Sequence, residues 1–482
     1  MSAELRRNVR LELRPGPCAT ALAILAVLAY LATAATGPLS PVGLERLQLL
    51  GLAAFCFFGV WGLRKASGAV SDEVLGGTWD QQRISGQDAT GLIAGKLLGA
   101  TAFSWFGALM GLLLYVPALL ARGGPALTAL HTATLVLGAL LAHTLALGGS
   151  LLTAEKLRKT RRGSRGLMTT LGWLLGVWLG LWVLGAGLQV LGLGEAQWQG
   201  WEVRWWLTLP GEAFVPLSLA LGWAWALTGA HRLMRLELQE SVTPLPWLGF
   251  LAFVPLYLLP FWQPLGATVP GALTLTALTG LSATWGLMLG ERLDGVRLRL
   301  LAGLWQRDER LAWWGALPLW PFALAVSLAS TACLVATALL GTLGGGAAPG
   351  PGGALLVPLA LFVVRDAALV LAAQLATPRH REPVGPIAVG LVVLYVLLPA
   401  IAVVSGAGSG ALAFLLPLCW DQSALSAFGP GTLSAGSGTM LSHQGLMRTL
   451  AALPGVALAL VLAGSVARGV LAERVRPAAP TT

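Results

Sequence analysis

Long, uninterrupted apolar runs limit what this chain can fold into more than any other feature of its sequence. Many of them reach the roughly 18 residues that a helix needs to cross the hydrocarbon core of a bilayer. With 56% hydrophobic and only 11% charged residues in a chain of 482, there are too few polar side chains to cover a water-soluble surface. We therefore predict an all-α, polytopic membrane protein.

The apolar runs predict about twelve membrane spans, arranged as two parallel six-span repeats. The first six are predicted near residues 18–36, 47–64, 92–120, 127–152, 167–192 and 213–231. The second six are predicted near residues 245–262, 268–290, 313–342, 354–377, 384–406 and 447–470. The predicted halves are residues 1–231 and residues 232–482.

The basic residues predict the orientation of the chain. With the N-terminus in the cytoplasm, 26 of the 31 lysines and arginines lie in cytoplasmic segments, and the opposite orientation would invert that ratio. We therefore predict a multi-pass protein of the cell membrane (plasma or bacterial inner membrane) with both termini in the cytoplasm. A nucleic-acid partner is then not needed to explain the net charge of +10, because the basic residues lie in short loops between apolar runs.

Short matches between the halves suggest an internal repeat. Arg10-Leu11-Glu12-Leu13 recurs as Arg235-Leu236-Glu237-Leu238, and Trp61-Gly62-Leu63 recurs at nearly the same offset as Trp285-Gly286-Leu287. An even number of spans per half would make the repeats parallel, with a pseudo-twofold axis along the membrane normal.

Each predicted half begins with a short cationic segment. These segments extend from Arg6 to Arg14 and from His231 to Glu240. Each is either an amphipathic helix that lies in the membrane interface or only a charge cluster that sets topology. The sequence favours the interfacial helix.

An unusually polar segment follows the second predicted span of each half. One extends from Arg64 to Lys96 and the other from Glu291 to Trp314. A plain hairpin between helices needs only a few residues, so each segment has room for a short helix and a turn. Their mixed charge predicts surfaces on which a soluble partner docks.

The first of these segments contains a spaced set of residues: a glutamate, a Gly-Thr pair followed by an acidic residue, a serine-containing turn and a Gly-Lys that opens the third span. They are Glu73, Gly77, Thr78, Asp80, Ser85, Gly95 and Lys96. This pattern resembles the second intracellular segment of type-2 ABC exporter permeases. The second half is similar in layout, since Glu291 is present but no Gly-Thr-x-acid follows it.

The resemblance implies a membrane-spanning permease subunit that moves a substrate outward with separate ATPase subunits, either two copies or a heteropair. It also implies an interfacial helix before the first span, a coupling helix that docks the ATPase, and re-entrant extracellular helices between the fifth and sixth spans. The docking residues that we predict on this basis are Asp72, Glu73, Gly77, Thr78, Asp80, Arg83, Glu291, Asp294, Arg307, Asp308 and Glu309.

The sequence has no nucleotide-binding motif of its own. A Walker A motif ending at Lys96 would need glycine where Thr90 stands and Ser or Thr where Leu97 stands. We therefore predict a subunit that is not an enzyme and has no cofactor, with ATP bound by the partner. The 4 cysteines form no metal-binding pattern, so no metal site is predicted.

Two adjacent charges, Arg365 and Asp366, lie in the middle of the tenth predicted span. Charges at that depth are costly and face protein, water or a partner. Neighbours on a helix point about 100 degrees apart, so we expect each side chain to find its partner on another helix. They are either a structural ion pair or residues that couple transport to substrate or protons.

Two other functions remain open. A twelve-span secondary transporter would also be built from parallel halves, and Arg365 and Asp366 would suit ion coupling. A membrane assembly subunit that transports nothing is the third possibility.

The extracellular segment 193–211 contains four tryptophans, which either anchor the interface or belong to a re-entrant helix.

Overall fold

The computed structural model describes residues 3–160, 202–204, 208–261, 269–291, 293, 295–343, 352–376 and 443–472. The chain divides into two compact units, Met1–Val242 and Thr243–Thr482. The first unit thus extends beyond the boundary at residue 231 that the sequence predicted.

In its described residues, the first unit consists of helices and one small two-stranded sheet. In chain order its elements are α1 (Ala3–Glu12), α2 (Pro15–Thr33), α3 (Pro41–Gly68), α4 (Ser71–Leu75), α5 (Trp79–Arg83), α6 (Ala89–Ala94), a π-helical turn (Gly95–Gly99), α7 (Ala102–Thr160), β1 (Glu202–Arg204), β2 (Thr208–Pro210) and α8 (Gly211–Glu237). The strands pair antiparallel, with Val203 opposite Leu209.

The second unit is helical throughout its described residues. In chain order its elements are α9 (Leu245–Leu258), a 3-10 turn (Leu259–Phe261), α10 (Val269–Gly290), α11 (Gly295–Gln306), α12 (Arg310–Ala316), α13 (Trp320–Leu343), α14 (Gly352–Ala376) and α15 (His443–Ala472).

Seven helices of the described residues are long and apolar enough to cross a membrane. They are Pro15–Thr33, Pro41–Gly68, Ala102–Ala154, Ala213–Glu237, Trp320–Thr337, Leu356–Ala376 and Leu453–Ala472. The prediction of an all-α, polytopic membrane protein is confirmed. The count of twelve spans and the orientation of the termini stay predictions, and the predicted spans 167–192 and 384–406 lie outside the described residues.

Local signals explain where the first helices begin. Proline stands in the first turn of α2 and of α3, where its missing N–H costs no helical hydrogen bond. Ser40 also caps α3, because its Oγ accepts the N–H of Gly43 at 3.0 Å. Asp88 caps α6 in the same way, with its Oδ2 3.2 Å from the nitrogen of Gly91.

The long element α7 is a hairpin of two helices. Gly124 interrupts it with φ of 76° and ψ of 176°, a backbone region that is open essentially only to glycine. A Cβ on Gly62 of α3 would lie 2.5 Å from Ser104 Oγ and 2.6 Å from His143 Cε1. Because Ser104 and His143 lie on opposite sides of Gly124 in sequence, the chain folds back there. This agrees with separate third and fourth predicted spans.

Small residues let the helices of each unit approach closely. A Cβ on Gly51 of α3 would lie 2.6 Å from the carbonyl oxygen of Gly111 in α7. In the second unit, a Cβ on Gly280 of α10 would lie 2.7 Å from the carbonyl oxygen of Ala323 in α13. Such contacts are typical of helices that pack within membranes, where van der Waals contact rather than water exclusion drives association.

One local prediction was wrong. The segment from His231 to Glu240 is not a separate interfacial helix, since α8 continues to Glu237. The continuation is fixed because Met234 is fully buried in the core of the first unit.

In the predicted segment 193–211, the described residues 202–204 and 208–210 form paired strands. Residues 193–201 and 205–207, which include the four tryptophans, lie outside the described residues, so the re-entrant helix stays a prediction.

Candidate functional site: a buried lysine that joins the first helix to the polar segment

Lys96 is almost completely buried between two carboxylates. Its side chain is 1% exposed, and Nζ donates to Glu4 Oε1 at 2.9 Å and to Glu73 Oε2. Glu73 Oε1 also accepts from Arg7 Nη2 at 3.1 Å and from Gln82 Nε2 at 2.8 Å. We call these five residues the Lys96 cluster. Its two cations and two anions balance, as buried charges require in a medium of low dielectric constant.

Helix α1 reaches Lys96 because two glycines leave room for it. A Cβ on Gly95 would lie 2.5 Å from Glu4 Cγ, and a Cβ on Gly99 would lie 2.8 Å from Asn8 Cβ. Asn8 Nδ2 donates to the carbonyl oxygen of Gly95 at 3.1 Å and to Glu4 Oε1 at 2.9 Å. Glu4 and Asn8 lie four residues apart on one face of α1. They therefore pack on Gly95 and Gly99, which have the same spacing.

The Glu4 carboxyl is held in its charged form. Burial alone would raise its pKa, but the hydrogen bond and charge of Lys96, the hydrogen bond from Asn8 and the charge of Arg7 hold the pKa below its ordinary value. The contact between α1 and the π-helical turn is therefore a charge-assisted contact at neutral pH.

The Gly-Thr pair shapes the corner between α4 and α5. Gly77 has φ of 69°, a left-handed conformation that other residues rarely adopt. The N–H of Thr78 then donates to the carbonyl oxygen of Glu73 at 2.9 Å. The corner directs Trp79 into the core, where it is 1% exposed and its ring centre lies 5.8 Å from Lys96 Nζ. The Gly77-Thr78 pair thus has a structural role in this corner that does not depend on a docked partner.

Hydrogen bonds attach this segment to two other helices of the unit. Ser150 Oγ, in the second helix of the α7 hairpin, accepts the N–H groups of Val70 at 3.1 Å and Ser71 at 3.0 Å. Arg83 Nε donates to the carbonyl oxygen of Glu237 at the end of α8, at 2.9 Å. The segment between α3 and α6 is therefore a rigid platform, since it is fixed at both ends and at its centre.

The outer side of the platform carries exposed acidic and apolar side chains. Asp80 is 76% exposed and pairs with Arg83 three residues further along the chain, at 3.1 Å. Asp72 is also exposed, and the exposed apolar residues are Leu75 and Ile84, the latter 84% exposed. A soluble partner would meet these four residues, whereas the predicted docking residue Glu73 is engaged inside the unit.

The predicted docking residues of the second unit form no equivalent of the Lys96 cluster in the described residues. Glu291 Oε2 accepts the N–H of Leu319. Asp308 has φ of 57° in the turn between α11 and α12 and pairs with Arg310 at 2.7 Å. Arg307 and Glu309 are exposed in the same turn, and Asp294 lies outside the described residues.

Arg365 and Asp366, in the candidate span Leu356–Ala376, contact each other, whereas the sequence predicted for each a partner on another helix. Arg365 Nε donates to Asp366 Oδ1 at 2.9 Å, with Asp366 fully buried. The long arginine side chain folds back over its own helix, and its guanidinium carbon lies 4.6 Å from the ring centre of Phe362. A Cβ on Gly455 would lie 3.3 Å from Arg365 Cδ, so α15 packs against the arginine stem. The pair is built into the contact of α14 with α15.

Several residues of the Lys96 cluster were not predicted as site residues, namely Glu4, Arg7, Gln82 and Lys96. A usable signal was present: a polar pair at Glu4 and Asn8 and a glycine pair at Gly95 and Gly99 share a spacing of one helical turn. Within the described residues, no group of three or more His, Cys, Asp or Glu side chains is placed to hold a metal ion.

Comparisons with known proteins returned nothing for this chain: no family model, no curated protein and no solved structure matches it.

Proposed function

We propose that this chain is the membrane-spanning permease subunit of an ATP-driven ABC exporter, which works with separate ATPase subunits. The observation that carries the proposal is the platform between α3 and α6. It exposes Asp72, Leu75, Asp80 and Ile84, while hydrogen bonds fix it to α1, α7 and α8. A loop that only connected two spans would need neither the length nor the internal bonding.

The platform is suited to transmit force because its contacts lead directly into predicted spans. Glu73 on the platform and Lys96 at the entry to α7 share an ion pair, and Lys96 also holds Glu4 of α1. At the other end of α1, Glu12 pairs with Lys65 of α3 at 2.8 Å. A displacement of the platform would move α1, α3 and α7 together, because packed elements move as rigid bodies rather than deform continuously.

In this mechanism the ATPase docks on the exposed acidic and apolar residues of the platform. ATP-driven closure of the ATPase pair would push the platform, and the Lys96 cluster would pass that movement to the spans. The central path would then open outward. The exposed turn Arg307 to Glu309 of the second unit is the proposed second contact for an ATPase subunit.

Co-purification with ABC ATPase subunits from the same organism tests the proposal. We expect the native chain to co-purify with them, and the variants Asp80→Arg and Ile84→Glu to lose them while remaining folded. The matched control is Glu45→Lys near the start of α3. It reverses a charge close to the far end of this helix, which ends at Gly68, about 35 Å away along the helix axis. Unchanged binding by both platform variants would contradict this docking site.

Transport by inverted vesicles or proteoliposomes tests the energy source. Substrate movement that needs ATP and no ion gradient supports the exporter. The buried Arg365 and Asp366 pair is the observation that favours the alternative, a secondary transporter coupled to an ion, because intramembrane charges often mark ion pathways. Gradient-driven movement without ATP would establish that alternative instead.

A further inference from the structure

The segment between α10 and α13 forms a compact helical hairpin that precedes the candidate span Trp320–Thr337. Arg297 Nε near the start of α11 donates to the carbonyl oxygen of Ala316 at the end of α12, at 2.8 Å. The side chain of Glu291, just after α10, accepts the N–H of Leu319, just before α13. The hairpin therefore leaves and returns at one place, between the end of α10 and the start of α13.

This α11–α12 hairpin exposes an unusual amount of apolar surface. Five large apolar side chains are exposed along its 22 residues, and Leu311 among them is 78% exposed. The five are Val296, Leu300, Trp305, Leu311 and Trp314. On a water-exposed loop this area would be unfavourable, and a contiguous apolar patch indicates a partner or a membrane.

The aromatic rings of the hairpin are continuous with a membrane-spanning helix. Trp305 lies 5.3 Å from Trp313 between ring centres, and Trp313 lies 5.4 Å from Trp314. Trp314 in turn lies 5.4 Å from Phe322, which belongs to the apolar window Trp320–Thr337 of α13. The ring series thus runs from the exposed hairpin to the end of a span, the depth at which tryptophan is enriched in membrane proteins.

The hairpin is also cationic. It contains four arginines and two acidic residues, and the guanidinium carbon of Arg310 lies 4.9 Å from the ring centre of Trp305. The arginines are Arg297, Arg299, Arg307 and Arg310, and the acids are Asp308 and Glu309. Arginine beside exposed tryptophan matches a surface of anionic headgroups over hydrocarbon.

The corresponding segment of the first unit has the opposite character. Its tryptophan, Trp79, is 1% exposed in the core, and its exposed charges include the acids Asp72 and Asp80. The two segments therefore differ in what they present to their surroundings, although they occupy the same place in the two predicted repeats.

We propose that the α11–α12 hairpin binds the anionic phospholipid surface of the bilayer, with Trp305, Leu311 and Trp314 inserted at headgroup level. The lipid contact fixes the entrance to α13. This inference requires that α13 crosses the membrane and does not rest on the proposed exporter function. The turn at Asp308 remains open to a soluble partner.

Spin labels at two matched positions test the contact in the full-length chain. Leu311→Cys and Ile84→Cys each replace a highly exposed apolar residue, one in each segment, in a background with the 4 native cysteines changed to alanine. In nanodiscs of phosphatidylcholine and phosphatidylglycerol, we expect the label at 311 to be reached by oxygen and shielded from a water-soluble nickel chelate. The label at 84 should show the reverse.

Lipid retention in the chain with its native cysteines gives a second, independent measurement. We expect the double variant Arg299→Gln/Arg310→Gln to bind phosphatidylglycerol about thirtyfold more weakly than the native chain, because each surface arginine contributes to attraction by anionic lipid. Arg46→Gln is the control, since it removes an arginine at the opposite end of α3 from the platform. It should leave phosphatidylglycerol binding by this hairpin unchanged. The proposal is overturned by a label at 311 that the nickel chelate reaches freely, by shielding that appears only when an ATPase is added, or by unchanged phosphatidylglycerol binding.

Discussion

Lys96 Nζ lies 2.9 Å from Glu4 Oε1, although the two residues are separated by 92 positions in sequence. The contact joins the first helix of the chain to the start of α7, and both side chains are at most 2% exposed. Glu73 completes the arrangement on the platform side. The position of α1 is thus fixed by a charge pair that only the folded unit can assemble.

Removal of the Lys96 charge is expected to be strongly destabilising. Lys96→Met removes the buried cation between Glu4 and Glu73 and leaves only the half-exposed Arg7 beside them, and breaking a buried pair in this way costs about 3–5 kcal/mol. We expect a clear fall in the thermal unfolding midpoint of the protein in detergent. Lys65→Met is the matched control, since its pair with Glu12 is partly exposed and such pairs contribute about 0–1 kcal/mol. Equal falls in the unfolding midpoint of the two variants would contradict a stabilising role for the buried Lys96 charge.

The docking of α1 is expected to depend on acid pH. Because the folded-state pKa of Glu4 lies below its ordinary value of 4.5, its contribution is complete above the ordinary pKa and disappears as the pH falls through the folded pKa. Below about pH 4.5, α1 should loosen, and its backbone amides should exchange with deuterium faster once the intrinsic pH dependence of exchange is removed. In Glu4→Gln, this fast exchange should already occur at neutral pH and change little on acidification. A pH dependence unaltered by this substitution would assign the effect to another group.

The glycine at position 95 is expected to be intolerant of any side chain. In Gly95→Ala the new methyl group would meet Glu4 Cγ at 2.5 Å, so α1 must shift, at a cost of about 1–3 kcal/mol. Gly148→Ala in α7 is the control, because a Cβ there has no neighbour within 4 Å and alanine is the better helix former. Thermal unfolding should separate the two, with a lower midpoint for the first and an equal or higher midpoint for the second.

The effect of removing the Asp366 charge on stability is expected to depend on whether the Arg365 charge is present. Asp366→Leu alone leaves a buried arginine without this carboxylate and should lower stability by about 3–5 kcal/mol, whereas Arg365→Met/Asp366→Leu removes both charges and should recover most of it. The unfolding midpoints of the single and double variants measure this. Transport by the double variant then separates the two roles: retained transport indicates a structural pair, and lost transport in a stable protein indicates coupling to substrate or ion.

The amino-acid sequence by itself determined the membrane class and much of the helix layout. Apolar runs of sufficient length can be read without knowledge of neighbours, because the bilayer imposes the same requirement on every span. The capping serine and prolines before α3 and the glycine at 77 were similarly local signals. Even so, α8 continued beyond its predicted end, since the burial of Met234 depends on helices distant in sequence.

Only the tertiary structure decided which charged residues work together. Sequence grouped Glu73 with Asp72 and Asp80 as docking residues, yet the fold turns Glu73 inward to Lys96 and leaves Asp72 and Asp80 exposed. It also buries Trp79 and exposes Trp314 in segments that look alike in layout. The physical reason is that hydropathy and spacing describe one helix at a time, whereas the partner of a buried charge is set by how closely another helix can approach, here through Gly95 and Gly99.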